Sequence, residues 1–301
     1  MIFICVLALL VLQATAVAQP AIGEGIPALK VTAPNGKTNV LIGSLHIPAD
    51  GLRQPAASVM DGAQRYVVEG VLEPMPETSP LNALAPEVTQ GLAIRANWSM
   101  VLTDVQIGML RQNVRCSILG SNEDLTMTYL LTRKSAATAA DIAIRPCATP
   151  GLISRDDLLA RAASARGLQP LPLESQAQAN KQRVAVPERI YQYQLVHAFT
   201  PESHKALRKV VRALNTGAYE EITKVMREPA PSSVDHEIFF KLMVTDRNRA
   251  WMPILMQYLD EGHTVVNVGA AHLPGPEGLI SMLRGRGYKV EPILLEAGNP
   301  R

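Results

Sequence analysis

The stretch from His263 to Glu296, HTVVNVGAAHLPGPEGLISMLRGRGYKVEPILLE, decides how this chain is read. Its apolar run from Thr264 to Val268 has the length and β-branched composition of a buried strand. The run delivers Gly269-Ala270-Ala271-His272, then Leu273 and Pro274, a helical stretch, and a second strand-like run, Lys289 to Leu295. The same order occurs near the other end. Asn39 to Glu73 reads NVLIGSLHIPADGLRQPAASVMDGAQRYVVEGVLE, an apolar run followed by Gly43-Ser44-Leu45-His46 and Ile47-Pro48. A helix-like stretch with Ala56, Val59, Met60 and Ala63 at helical spacing follows, and then the run Tyr66 to Leu72. One Gly-x-x-His-(Ile/Leu)-Pro pattern is expected by chance on the order of once in a few hundred chains of this length, so two in matched contexts indicate an internal repeat.

Each position has a physical reason. Glycine lets the backbone turn sharply after the strand, and proline two residues beyond the histidine stops it. A histidine just past a strand's carboxyl end sits where open α/β sheets place ligands. Taken singly, either His46 or His272 also reads as a turn cap, but the matched contexts favour a shared role. Glu69 closes the otherwise apolar Tyr66-Val67-Val68, where an unpaired carboxylate costs several kcal/mol, roughly, so it needs a cation, a metal or a proton unless it lies in solvent at the strand's exit. The second unit echoes this weakly as Tyr288-Lys289-Val290-Glu291, with Lys289 pointing to an exposed edge strand and Glu291 carrying no site expectation.

The expected fold is α/β, a mixed sheet built from two related strand-GxxH-helix-strand units, with a mostly helical middle over about residues 79–262. Ala28 to Val31 and Val40 to Ile42, around Gly36-Lys37, read as an entering hairpin. A Pro-rich entry (Pro74, Pro76, Pro80, Pro86) leads into the middle segment. There Ser154 and Asp157 read as a capping box, and a short run from Leu168 to Leu173 brings up Glu174. Thr200-Pro201 opens a helix that Gly217 closes. A further helix over Asp246 to Leu259, with a kink expected at Pro253, carries Arg247 and Asn248 at its polar start. An arginine there can reach a carboxylate or an anionic intermediate. His197, His204, His236 and His263 have no motif context and read as ordinary histidines.

Residues 1–18 contain no charge, and Ala16-Val17-Ala18 precedes Gln19. This is the pattern of a secretory signal peptide, with an uncleaved anchor as the other reading, and it places a single domain of residues 19–301 in the periplasm or outside the cell. No later stretch is long and apolar enough to span a bilayer. The 29 basic and 27 acidic residues nearly cancel and form no basic cluster, which argues against a nucleic-acid partner. Cys116 and Cys147 are either two thiols or one disulfide, which would be worth roughly 3 kcal/mol in an exported protein. Gly-x-Ser-x-Gly, HExxH, Walker and dinucleotide-binding signatures are absent.

Two neutral imidazoles and a carboxylate (His46, His272, Glu69) make a three-ligand set that leaves room for water and suits Zn, Mn or Fe(II). In that scheme Glu174 serves as general base or further ligand and Arg247 steadies an oxyanion. The same residues without metal form a His/Glu acid-base pair.

The two Gly-x-x-His motifs, Val67-Val68-Glu69, GLQPLPLES ending at Glu174-Ser175, Arg247-Asn248 and the closing VGAAHLPGPEGLISMLRGRGYKV together resemble the TraB/PrgY/GumN family, to which the Tiki metalloproteases are related. The resemblance covers Asn39 to Glu73 and Thr245 to Leu295 most strongly. It implies an α/β fold of two related units with both histidines and a glutamate in one site. His46, Glu69 and His272 match the family core, and Glu174, Arg247 and Asn248 are secondary matches. Tiki members imply a Mn- or Co-dependent peptidase acting on a peptide or protein, whereas GumN-like members leave the substrate open. Erythromycin-esterase-like relatives imply a metal-free hydrolase. A non-catalytic peptide binder, an accessory factor for envelope polysaccharide, and a haem-binding variant complete the alternatives.

Overall fold

The computed structural model describes residues 25–70, 94–117, 122–145, 147–226 and 230–298, so the expected signal peptide and the Pro-rich entry lie outside the described residues. The entering hairpin forms as expected. Strands β1 (Ile26–Thr32) and β2 (Thr38–Ser44) pair antiparallel about a turn in which Gly36 takes φ 86°. Strand β2 then lies parallel to β5 (Thr264–Gly269), in a register that sets Ser44 opposite Gly269. All six residues of β5 are buried, because its other edge pairs in parallel with β3 (Arg65–Val68). Beyond β3 lies the short β4 (Pro170–Pro172), and β6 (Lys289–Leu295) pairs antiparallel with β1.

The six-stranded order β4-β3-β5-β2-β1-β6 is thus parallel throughout except for β1. From β2 the chain crosses to one side, to β3, and from β5 it crosses to the other, to β6. The boundary between β2 and β5 is therefore the switch point of the sheet, where open α/β folds form their ligand crevice.

The two units are related but unequal. In place of the helix expected over Pro55 to Arg65 there is one 3-10 turn, Ala57–Met60. Gly62 at φ 74° ends it, and burying Met60 with Val59 and Ala63 against the sheet satisfies the apolar spacing in a single turn. The second unit does contain a helix, Leu279–Arg284. Its last strand, β6, occupies the sheet edge beside β1, and Lys289 there is exposed as the sequence suggests. The equivalent β3 is interior.

Helices cover both faces of the sheet, as a parallel sheet requires. Helix α1 (Arg155–Ser164) packs Leu159, Ala162 and Ala163 on one face against Ile42, Tyr66 and Val265. On the other face, helices α2 (Pro201–Thr216) and α3 (Asp246–Glu261) supply Leu214, Trp251, Leu255 and Leu259 against Leu41, Val67 and Val266. Helix α3 runs on through Pro253. The remaining helices of the middle segment bury their own core, including Trp98, Leu110, Leu130, Ile190 and Leu195. Among the described residues no helix is long and apolar enough to cross a membrane.

Candidate active site

At the carboxyl ends of β2 and β5, the two motif histidines reach the same oxygen. His46 Nε2 lies 3.2 Å and His272 Nε2 3.6 Å from Glu69 Oε1, Glu69 being the first residue after β3. The repeat's implication that the imidazoles share one site is met by the parallel pairing of β2 with β5.

The motif glycines serve a purpose other than the sharp turn expected of them. Gly269 has φ −54° and ψ 131°, which any residue adopts. A Cβ placed there would stand 2.6 Å from His46 Nε2 and 2.9 Å from Glu69 Oε1, so glycine is required by close approach. Its own N–H donates to Glu69 Oε1 at 2.6 Å. A Cβ on Gly43 would stand 3.0 Å from Leu273 Cδ1 and 3.1 Å from Ala270 Cβ, inside the second motif. The turn strain is carried by His46 itself, a non-glycine residue at φ 62°. His272 instead ends a 3-10 turn, Ala270–His272.

Both imidazoles are held from behind. His272 Nδ1 is 2.7 Å from Asn248 Oδ1, while Asn248 Nδ2 donates to the carbonyls of His272 (3.1 Å) and Glu277 (2.8 Å). Because the amide nitrogen is committed to those carbonyls, Oδ1 accepts and His272 carries its proton on Nδ1. The Trp251 ring lies against His272 with centroids 4.4 Å apart. On the other side, His46 Nδ1 is 3.0 Å from Asp156 Oδ1.

Arg247 occupies the centre. Its Nε donates to Glu174, its Nη2 to Glu69 Oε2 (2.7 Å) and to Glu174 Oε1, and its Nη1 to the Met243 carbonyl (3.2 Å), with His272 Nε2 at 3.3 Å. All five N–H bonds of the guanidinium are engaged. A π-helical turn, Lys241–Thr245, immediately precedes α3 and presents the Met243 carbonyl to Arg247. Glu174 also accepts from Trp251 Nε1 at 3.0 Å and is 7% exposed. With both its oxygens accepting hydrogen bonds, Glu174 holds Arg247 in place, and to serve as general base or ligand it has first to give up one of them.

The charges follow from these contacts. Burial pulls the His46 imidazolium down, but the charge of Glu69 and the hydrogen bonds to Asp156 and Glu69 push it up to about 10. The ring is still 43% exposed, so pairing outweighs burial. His272 is 5% exposed, and burial together with the Arg247 and His46 cations lowers it to about 3 despite Glu69. Burial alone would raise Glu69, yet His272, His46 and Arg247 hold it well below the usual carboxylate range. Since His272 is neutral at ordinary pH, His46 and Arg247 carry that effect.

All six residues expected from the sequence (His46, Glu69, Glu174, Arg247, Asn248 and His272) thus meet at one place. Those the sequence did not disclose are Asp156, Trp251 and Asn267, whose Nδ2 donates to Asp156 Oδ1 at 2.9 Å. Ser154 caps the helix by accepting the Asp157 N–H at 3.0 Å, but the reciprocal bond of the expected capping box does not form, since Asp157 accepts from the Ser154 hydroxyl instead of its backbone N–H. Trp251 and Asn267 lie in segments whose apolar pattern reads as core.

Among the described residues no group of three or more His, Cys, Asp or Glu side chains is placed to hold a metal ion. The donor types of His46, His272 and Glu69 are those a divalent metal takes. Both Nδ1 atoms are tied to acceptors and both Nε2 atoms face one carboxylate oxygen, the pattern that orients metal-binding histidines. Their separations from that oxygen match the roughly 3.3 Å between neighbouring ligands of a tetrahedral ion.

The architecture is that of an open α/β protein with a His/Glu/Arg site at the switch point of its sheet. The chain belongs to the TraB/PrgY/gumN family, whose model matches residues 28–292. No curated protein and no solved structure matches the chain.

Proposed function

We propose that this protein is an exported metal-dependent hydrolase that cleaves peptide bonds, with His46, His272 and Glu69 as metal ligands. The observation that carries this reading is the pair of imidazoles, each anchored at Nδ1 and each presenting Nε2 to Glu69 Oε1. Charge supports it too. Three carboxylates (Glu69, Glu174, Asp156) surround two cations, Arg247 and the His46 imidazolium. A divalent ion that replaces the His46 Nε2 proton balances the cluster. Bound there, Mn, Zn, Co or Fe supplies a water of lowered pKa and polarises a carbonyl.

The chain's own residues supply the rest. His272 stays neutral and keeps Nε2 available as a donor, and Asn248 fixes its tautomer. Arg247 aims Nη1–H at the centre of the site, where it donates to a developing oxyanion once His272 Nε2 takes another partner. Glu174 and Trp251 hold that guanidinium in place. The choice of peptides rests on the resemblance to the Tiki metalloproteases. Export rests on the charge-free residues 1–18 and on the Cys116–Cys147 disulfide, which suits an oxidising compartment.

One observation favours a second reading. Arg247 already engages both Glu69 and His272, as suits a metal-free hydrolase in which His46 or His272 acts as general base with Glu69 to activate water.

Metal content of residues 19–301, purified without a His-tag, separates the readings when measured beside His46→Ala and His272→Ala. Near-stoichiometric metal that disappears in both variants, with peptide hydrolysis that a chelator abolishes, is the expected result. Hydrolysis without metal after reconstitution favours the second reading. Peptide binding without hydrolysis in the wild type, unchanged in the double variant, makes the protein a binder and ends both hydrolase readings.

A further inference from the structure

We propose that Asp156 is the positioning residue of the first motif histidine, a carboxylate that holds the His46 ring by Nδ1 and makes the two motif histidines chemically unequal. This rests on the reading of His46 as a ligand or proton carrier, and on three contacts. Asp156 Oδ1 lies 3.0 Å from His46 Nδ1 and accepts from Asn267 Nδ2 at 2.9 Å, while Oδ2 accepts from Ser44 Oγ. Ser44 is the second residue of the first Gly-x-x-His motif and Asn267 stands on β5, so one carboxylate gathers donors from both central strands and from the histidine between them. Ser44 Oγ in turn accepts the backbone N–H of His46 at 3.3 Å, which braces a residue held at φ 62°.

The position of Asp156 is itself fixed. It lies in the first turn of α1, whose N-cap is Ser154. The preceding Arg155 is fully buried and donates to the carbonyls of Gly43 (2.6 Å) and Arg53 (2.7 Å). The helix start is therefore bolted to the backbone of the motif it serves, and the Asp156 carboxylate is held toward His46 by Ser44 and Asn267.

At the equivalent place behind His272 stands a neutral amide, Asn248. A carboxylate behind an imidazole raises its basicity as a ligand more than an amide does. His46 is accordingly the stronger donor of the pair, and His272 the weaker and more deeply buried.

The test uses the full mature chain and two readouts. In metal-free wild type, proton NMR should show a downfield, slowly exchanging imidazole N–H resonance that His46→Ala removes. Asp156→Ala should abolish it with an unchanged far-UV circular dichroism spectrum. The affinity for Zn²⁺ or Mn²⁺ should fall about tenfold in Asp156→Asn and toward a hundredfold in Asp156→Ala. Should Asp156→Ala fail to fold, the isosteric Asp156→Asn carries both readouts. A resonance that persists unchanged in the Asp156 variants overturns the proposal, as does undiminished metal affinity. If wild type binds no metal, the metalloenzyme reading fails by itself and the resonance alone decides the role of Asp156.

Discussion

Burial acts in the same direction on His46 and His272, and their neighbours decide the outcome. Against burial, His46 has carboxylates on both nitrogens and rises to about 10. His272 has a carboxylate at 3.6 Å but also Arg247 beside it, and falls to about 3. The consequence for stability can be signed. A folded-state value above the unfolded 6.5 means that the His46 charge stabilises the metal-free fold fully below about pH 6.5, and that this contribution drains away as pH rises through about 10. The melting temperature of metal-free protein should therefore decline between pH 6.5 and 10. His46→Ala should lack that component, and thermal scans across this range at constant ionic strength measure it. An equal decline in the variant would assign the effect to another group.

At the scale of elements, the N-terminus of α1 and the turn before α3 bring the middle segment into the site. Arg155, at the first of these, places a guanidinium in the interior with backbone carbonyls as its hydrogen-bond acceptors. Burial lowers it to about 10, so it remains charged at neutral pH. Arg155→Met keeps the bulk but strands the carbonyls of Gly43 and Arg53, and should cost about 3 kcal/mol in urea denaturation. The exposed Arg161→Met on the same helix should change stability by less than about 0.5 kcal/mol. Equal effects would deny Arg155 its bolting role. Nothing in the sequence marks Arg155 or Asp156, because a charged pair in a first turn ordinarily faces solvent. The first unit's helical spacing is ambiguous for a related reason, since four apolar residues at that spacing do not reveal whether one turn or three will bury them.

Across the whole molecule, a sheet carrying two motif histidines is joined to a helical segment with its own core, which the Cys116–Cys147 disulfide ties internally over 31 residues. Chain entropy assigns that link about 3–4 kcal/mol. Cys116→Ser with Cys147→Ser should lower stability by that order in chemical denaturation and leave unchanged whatever metal the wild type binds, because the cysteines bond each other and the Gln112 carbonyl in the helical core. Loss of metal in this variant would show that the helical core and the site are coupled. What the sequence by itself determined was the α/β class, the repeat, the strands that carry it and six residues of the site, because glycine, histidine and proline at fixed spacing after an apolar run are local facts of the chain. Only the tertiary structure decided that β2 and β5 lie side by side and parallel, that Gly269 serves close approach, that Arg247 saturates Glu174, and that Asp156 stands behind His46. Those depend on strand order and on contacts between residues as much as 225 positions apart, which local pattern does not encode.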